Sequence, residues 1–120
     1  MKDIAIAAGK IEAKVIEWRR ELHKIPELSH DLPKTAEFIV RHLESIGVDS
    51  ITRNVGILDG GVKSCGIVAE LKGEKTGKTL AIRADMDALP IREETGLTYA
   101  SENGNMHACG HDSHAAMLLG

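Results

Sequence analysis

Aromatic side chains are nearly missing from this sequence: Trp18, Phe38 and Tyr99 are the only three in 120 residues. A core must therefore come from the Ile, Leu, Val and Ala that make up most of its 42% of hydrophobic residues. Long apolar runs are missing too. None approaches the ~20 residues that span a bilayer. The short apolar stretch in residues 1–10, with Asp3 interrupting its charged end, is too brief for a signal peptide, so the cytoplasm is the expected compartment. The two cysteines, Cys65 and Cys109, are too few for a disulfide framework. In a reducing compartment a functional thiol serves as a metal ligand or a nucleophile. Basic charge is not concentrated: Lys and Arg form no run longer than Arg19-Arg20, and the formal net charge is −3. Nucleic acid and anionic membrane both need a concentrated basic face, so neither is an expected partner.

A chain of this length has room for one modest domain with a core. Ile4, Ile11, Val15, Trp18, Leu22 and Ile25 recur at steps of three, four or seven, which lays them along one face of a helix. Pro26 ends it by pushing the residue before it out of helical geometry. A second helix is predicted from Pro33, a residue suited to a first helical turn, with Ala36, Ile39, Val40, Leu43 and Ile46 on its apolar side and Gly47 as its stop. The period then changes. Alternation over residues 65–71 and again over 80–84 predicts two strands, which the polar loop 73–78 would close into a hairpin. A strand around 48–55 is a weaker reading. A long irregular stretch runs from Pro90 to about Gly110, and a short helix is predicted over 113–119. No repeat, low-complexity tract or linker is present. Helices followed by strands suggest an α/β layered fold. The apolar run before Gly120, without a turn or polar cap, reads as a chain cut inside an element.

Ionisable residues gather in two places. Asp85 and Asp87 flank Met86 at the carboxyl end of the clearer predicted strand, where open α/β sheets bind ligands. Alternation points two side chains at i and i+2 the same way, and like charges held together call for a cation or histidine between them. A solvated strand end is the plainer reading of that pair alone. The second place is Met106-His107-Ala108-Cys109-Gly110-His111-Asp112-Ser113-His114, with three of the chain's six histidines, a thiol and a carboxylate. The glycine between Cys109 and His111 lets the backbone turn tightly enough for sulfur and imidazole to reach one ion. Thiolate, imidazole and carboxylate form the ligand set for zinc and related divalent metals. Individually, Cys109 could be a buried hydrophobe and Asp112 a helix cap; their density favours metal. A nucleophilic Cys109, with His111 or His114 as its base, is the competing chemistry, but it leaves the Asp-x-Asp unit without a task.

Three blocks carry a family resemblance. They are Trp18-Arg19-Arg20-Glu21-Leu22-His23 with Pro26-Glu27-Leu28-Ser29; Arg83-Ala84-Asp85-Met86-Asp87-Ala88-Leu89-Pro90-Ile91 with Glu94-Thr95-Gly96-Leu97; and residues 104–114 with Leu118-Leu119-Gly120. With these blocks in order, the chain resembles the amidohydrolase branch of the aminoacylase and carboxypeptidase metallopeptidases. That branch includes hippurate hydrolases, auxin-conjugate hydrolases and N-acetyl-diaminopimelate deacetylases.

The resemblance implies that residues 1–120 are the amino-terminal part of a zinc-peptidase-like catalytic domain. Its amino-terminal helices would precede strands of a central mixed sheet, with the inserted lid or dimerisation domain and the carboxyl-terminal part absent. It implies a two-metal site (Zn, Mn or Co) in which Cys109 and His111 are ligands and Asp87 is the carboxylate that orients the site. Sister branches have a metal-binding histidine where this chain has Asp85, so the role of Asp85 is less defined. His107, Asp112 and His114 read as hydrogen-bonding supports or members of uncertain role. Arg20, His23 and Cys65 read as structural, and Glu93-Glu94 as an exposed turn. The implied reaction is hydrolysis of the amide of an N-acyl amino acid, with a general-base glutamate downstream of Gly120 and a homodimeric full-length protein. The fragment alone is expected to bind metal weakly, to be inactive and to associate through uncovered apolar surface. A metal-binding or regulatory module that has lost hydrolysis, and a cysteine-dependent hydrolase, are the alternative functions.

Overall fold

The structure is a computed structural model and describes residues 2–120. Its first helix, α1 (Lys2–His23), carries the predicted apolar stripe, but only the carboxyl half of that stripe is covered. Val15, Trp18, Leu22 and the following Ile25 pack inward, whereas Ile4 is 73% exposed. A 22-residue helix runs about 33 Å, and the core it shares with the described elements lies along its carboxyl half.

Helix α2 (Pro33–Ile46) begins at Pro33 and stops at Gly47, as predicted, with the Gly47 N–H donating to the Leu43 and Glu44 carbonyls. No side chain at its own N-cap serves the first turn. Glu27 does so from a distance: its two carboxylate oxygens accept from Lys34 N at 3.1 Å and Thr35 N at 2.8 Å, satisfying two orphan donors at the positive end of the helix dipole.

Strands β1 (Ser50–Ile57) and β2 (Lys63–Glu70) form an antiparallel pair closed through a short 3-10 turn at Asp59–Gly61. The register runs from Ser50 opposite Glu70 to Arg53 opposite Ile67, then shifts at Asn54, whose φ of +56° marks the irregularity. Gly66 is required opposite Val55, because a Cβ there would lie 2.3 Å from the Val55 carbonyl oxygen. Helix α3 (His111–Leu119) starts two residues earlier than predicted and packs on α1 and α2. The buried core lies where the three helices meet: Trp18, Leu22, Phe38, Ile39, Ala115 and Ala116, with Ile67 of β2 behind them.

One strand expectation is corrected. Residues 80–84 pair with no strand among the described residues, and Leu80 and Ile82 stand 81% and 69% exposed. β2 pairs instead with β1, the segment of weaker alternation. The short turn at Asp59–Gly61 brings those two together locally. Part of the other edge of β2 is met by the loop before α2, with Cys65 N donating to His30 O at 3.1 Å. The following residues are drawn elsewhere.

Candidate metal centre

Backbone bonds, not a strand, put the acidic pair in place. Ala88 N donates to Glu27 O at 2.7 Å, making a parallel bridge with Leu28, and Leu89 and Met106 exchange both backbone bonds at 3.0 Å. Residues 85–89 are thus held between the turn after α1 and the loop before α3. Asn103 Nδ2 donates to Pro26 O at 2.8 Å and ties that loop back to the same turn. Residues from three distant parts of the sequence become one unit.

Within it, Gly110 adopts φ +79° and turns the chain so that α3 begins at His111. The left-handed region has little cost only for glycine. The N-cap is therefore Gly110, and Asp112 does not cap the helix. His111 Nδ1 faces Asp87, 2.8 Å from its carboxylate Oδ1 and 2.9 Å from its carbonyl oxygen. Both are acceptors, so Nδ1 carries a hydrogen, and in the neutral ring Nε2 is the nitrogen with the lone pair. That arrangement is how an outer carboxylate orients a metal-binding imidazole. Asp85 Oδ2 lies 4.0 Å from His111 Nε2, too far for a hydrogen bond and within the span of two metal–ligand bonds of ~2 Å each. His114, one turn along α3, stacks obliquely on His111 with ring centroids 5.4 Å apart. Asp85, His111 and His114 each offer one ligand atom, and these atoms lie within 4.8 Å of one another. Cys109 is exposed and is not in that set. Arg83 Nη2, largely solvated, pairs with Asp85 Oδ1 at 2.5 Å.

A cleft of about 320 Å³ opens beside this group, lined by Ser29, His30, Cys65, Arg83, Asp85 and Asp87 among others. Cys65, read from the sequence as core, is half-buried in its wall, and its sulfur accepts the Leu32 N–H at 3.2 Å.

Behind the centre lies a buried ionic network. Asp112 Oδ2 accepts from Arg19 Nε at 2.8 Å and from His23 Nδ1 at 2.7 Å. His23 Nε2 in turn meets Glu93 Oε1 at 3.1 Å. The expectation of an exposed turn at Glu93-Glu94 is corrected for its first member: the Glu93 side chain is enclosed, while Glu94 is exposed. Burial pushes the Glu93 carboxyl up, and hydrogen bonds from Thr95, Ser101 and His23 outweigh it, holding the group at about 2. Arg20 stays at the surface, its guanidinium 5.2 Å from the Tyr99 ring centroid. His107 is 4% exposed, and neither ring nitrogen has a hydrogen-bond partner among the described residues. Burial lowers its pKa below 6.5, Asp112 opposes this, and His23 and His111 reinforce it.

Sequence reasoning missed Glu27 as a helix cap and Arg19, His23 and Glu93 as partners of the histidine motif. The available signal was weak: Asp112 directly follows His111, and Thr95 supplies a donor two residues after Glu93.

The profile of peptidase family M20/M25/M40 matches residues 81–120, the stretch that holds both ionisable clusters. The N-acyl-L-amino acid amidohydrolase of Geobacillus stearothermophilus is 45% identical over 120 residues, covering 99% of this chain and 30% of that protein. A candidate aminohydrolase from methicillin-resistant Staphylococcus aureus has the same fold, with TM-score 0.85 and 45% identity over 98% of this chain and 30% of its own. The Bacillus subtilis YXEP protein, a dinuclear metal-binding peptidase of the M20 family, follows at TM-score 0.78 and 42% identity, over 92% of this chain and 30% of its own. The chain therefore spans about 30% of the length of these relatives. On a matched stretch that carries both clusters, and on a fold shared at 45% identity, the chain belongs to peptidase family M20/M25/M40.

Proposed function

We propose that this chain supplies the amino-terminal part of the catalytic domain of a divalent-metal-dependent hydrolase that cleaves the amide bond of N-acyl amino acids. The observation that carries the reading is His111: Asp87 holds its Nδ1–H, and its free Nε2 faces Asp85 and His114. The donor types fit the group. Imidazole and carboxylate suit zinc, manganese or cobalt, and the exposed Cys109 thiol one glycine away adds the soft ligand that favours zinc. A divalent ion held there supplies Lewis-acid polarisation of the scissile carbonyl and makes water a better nucleophile near neutral pH. His111 and Cys109 would hold it, and Asp87 would keep the His111 ring aimed. Asp85 and His114 stand close enough to share in that task.

The relatives support an N-acyl amino acid substrate through the amidohydrolase named among them, and two ions through the dinuclear peptidase. The general-base glutamate, the remaining ligands and a dimerising domain belong, in this reading, to sequence beyond these residues. No described helix is long and apolar enough to cross a membrane. The two free cysteines suit a cytoplasmic setting, where a thiolate ligand stays reduced.

The test is release of free amino acid from a panel of N-acyl amino acids with added Zn²⁺ or Mn²⁺. It would be run on this chain and on the same protein extended downstream. Activity confined to the extended protein and lost in Cys109→Ala supports the proposal. Activity that persists without metal and disappears on thiol alkylation supports a cysteine-dependent hydrolase instead. Metal binding without hydrolysis in both forms supports a regulatory module.

A further inference from the structure

We infer that Glu93 and His23 are positioning residues for His111, acting through Asp112, the residue that follows it. The inference rests on the reading of His111 as a metal ligand and adds what holds that ligand in place. The path is continuous. Thr95 Oγ1 and Ser101 N donate to the two oxygens of Glu93. His23 Nε2 lies 3.1 Å from Glu93 Oε1, and His23 Nδ1 lies 2.7 Å from Asp112 Oδ2. Arg19 Nε donates to the same Asp112 oxygen at 2.8 Å, and the other Asp112 oxygen accepts Ser113 N at 2.8 Å. Each nitrogen of His23 thus lies within hydrogen-bond distance of a different carboxylate. The ring is locked in both directions and cannot flip without losing a bond.

The geometry says why this matters at His111. Successive residues of a helix point about 100° apart, so clamping Asp112 behind α3 sets the direction in which His111 leaves it. His111 is the first residue of α3, preceded by a left-handed glycine and by no side-chain cap. Nothing local restrains it from that side. The Asp112 clamp supplies the restraint, and His111 Nδ1 then reaches Asp87. A buried ionic network adds little net stability compared with apolar groups of equal volume, and in some proteins such networks instead fix a single geometry. That balance favours a positioning role.

The experiment reads the His111 ring itself, by ¹⁵N NMR of the metal-free protein extended downstream, and then its Co²⁺ affinity by visible absorption. Variants are Glu93→Ala, the milder Glu93→Gln in case the first does not fold, His111→Ala, and Val40→Ala as a lesion at a buried α2 position that makes none of the network's bonds. The parent and Val40→Ala should show His111 protonated at Nδ1. The Glu93 variants should show exchange between the two tautomers and bind Co²⁺ at least about tenfold more weakly. An unchanged tautomer in the Glu93 variants overturns the inference. So does Val40→Ala disturbing the tautomer as much, since the role would then be general stability. Co²⁺ binding that survives His111→Ala sinks the metal reading separately, whatever the tautomer does.

Discussion

His23 Nδ1 lies 2.7 Å from Asp112 Oδ2, although 89 residues separate them in sequence. This contact ties the last turn of α1 to the first turn of α3, and Arg19 shares the same oxygen. The histidine motif is therefore completed by the opening helix.

Asp112→Ala should be among the most damaging single changes in the chain. It removes the carboxylate shared by His23 and Arg19, leaving His23 buried with Glu93 alone, and breaking a buried pair costs about 3–5 kcal/mol. The check is the urea unfolding midpoint at neutral pH. A loss below about 1 kcal/mol would place the pair with solvated surface bridges.

Acid should loosen the fold through Glu93. Its carboxyl sits at about 2 in the folded chain, against 4.5 for the free group. A depressed acid contributes stability that is complete above the unfolded value and lost as pH falls from about 4.5 towards 2. The melting temperature should decline across that window, and Glu93→Gln should flatten the decline. An identical slope in the variant would assign the acid sensitivity to other carboxylates.

Trp18, the chain's single tryptophan, reports on His42, whose ring lies 5.2 Å away. Burial lowers the His42 pKa from 6.5, and Arg41 and Lys14 add to the shift while Glu17 opposes it. A cationic imidazole quenches indole emission, so fluorescence should fall on acidification with a midpoint below 6.5. His42→Gln should abolish the step. A midpoint at or above 6.5 would contradict the environment described.

Leu80 and Ile82 are exposed apolar side chains outside the helices and strands. Replacing both with lysine should leave the melting temperature within about 2 °C, because surface substitutions usually change stability by no more than ~0.5 kcal/mol. Self-association should weaken, as sedimentation velocity would show. A large fall in melting temperature would mean that these side chains pack within the chain.

Much of the helical half was legible in the sequence. The Val15, Trp18, Leu22 spacing, Pro33 and Gly47 each act locally, through periodicity or backbone geometry, and each appears where predicted. The strands were less legible because pairing is decided between segments. Residues 80–84 alternate better than 50–57, yet the tight turn at Asp59–Gly61 gives β2 to β1. At the candidate centre, the Asp85–Asp87 and His107–His114 clusters stood out by density, and the fold brings Asp85, Asp87, His111 and His114 together. Glu93 was illegible: nothing in a Glu-Glu pair between Pro90 and Gly96 says which carboxylate turns inward.

What the order of residues determined alone was the set of chemical groups and the helices that carry them, since periodicity, proline and glycine act over a few residues. The tertiary structure decided which of those groups meet. Asp87 holds the His111 ring, Glu27 caps a helix it does not belong to, and Asp112 is clamped by Arg19 and His23. Each of these contacts depends on packing α1 against α3 and threading residues 85–89 between two loops, so no local rule could have named them.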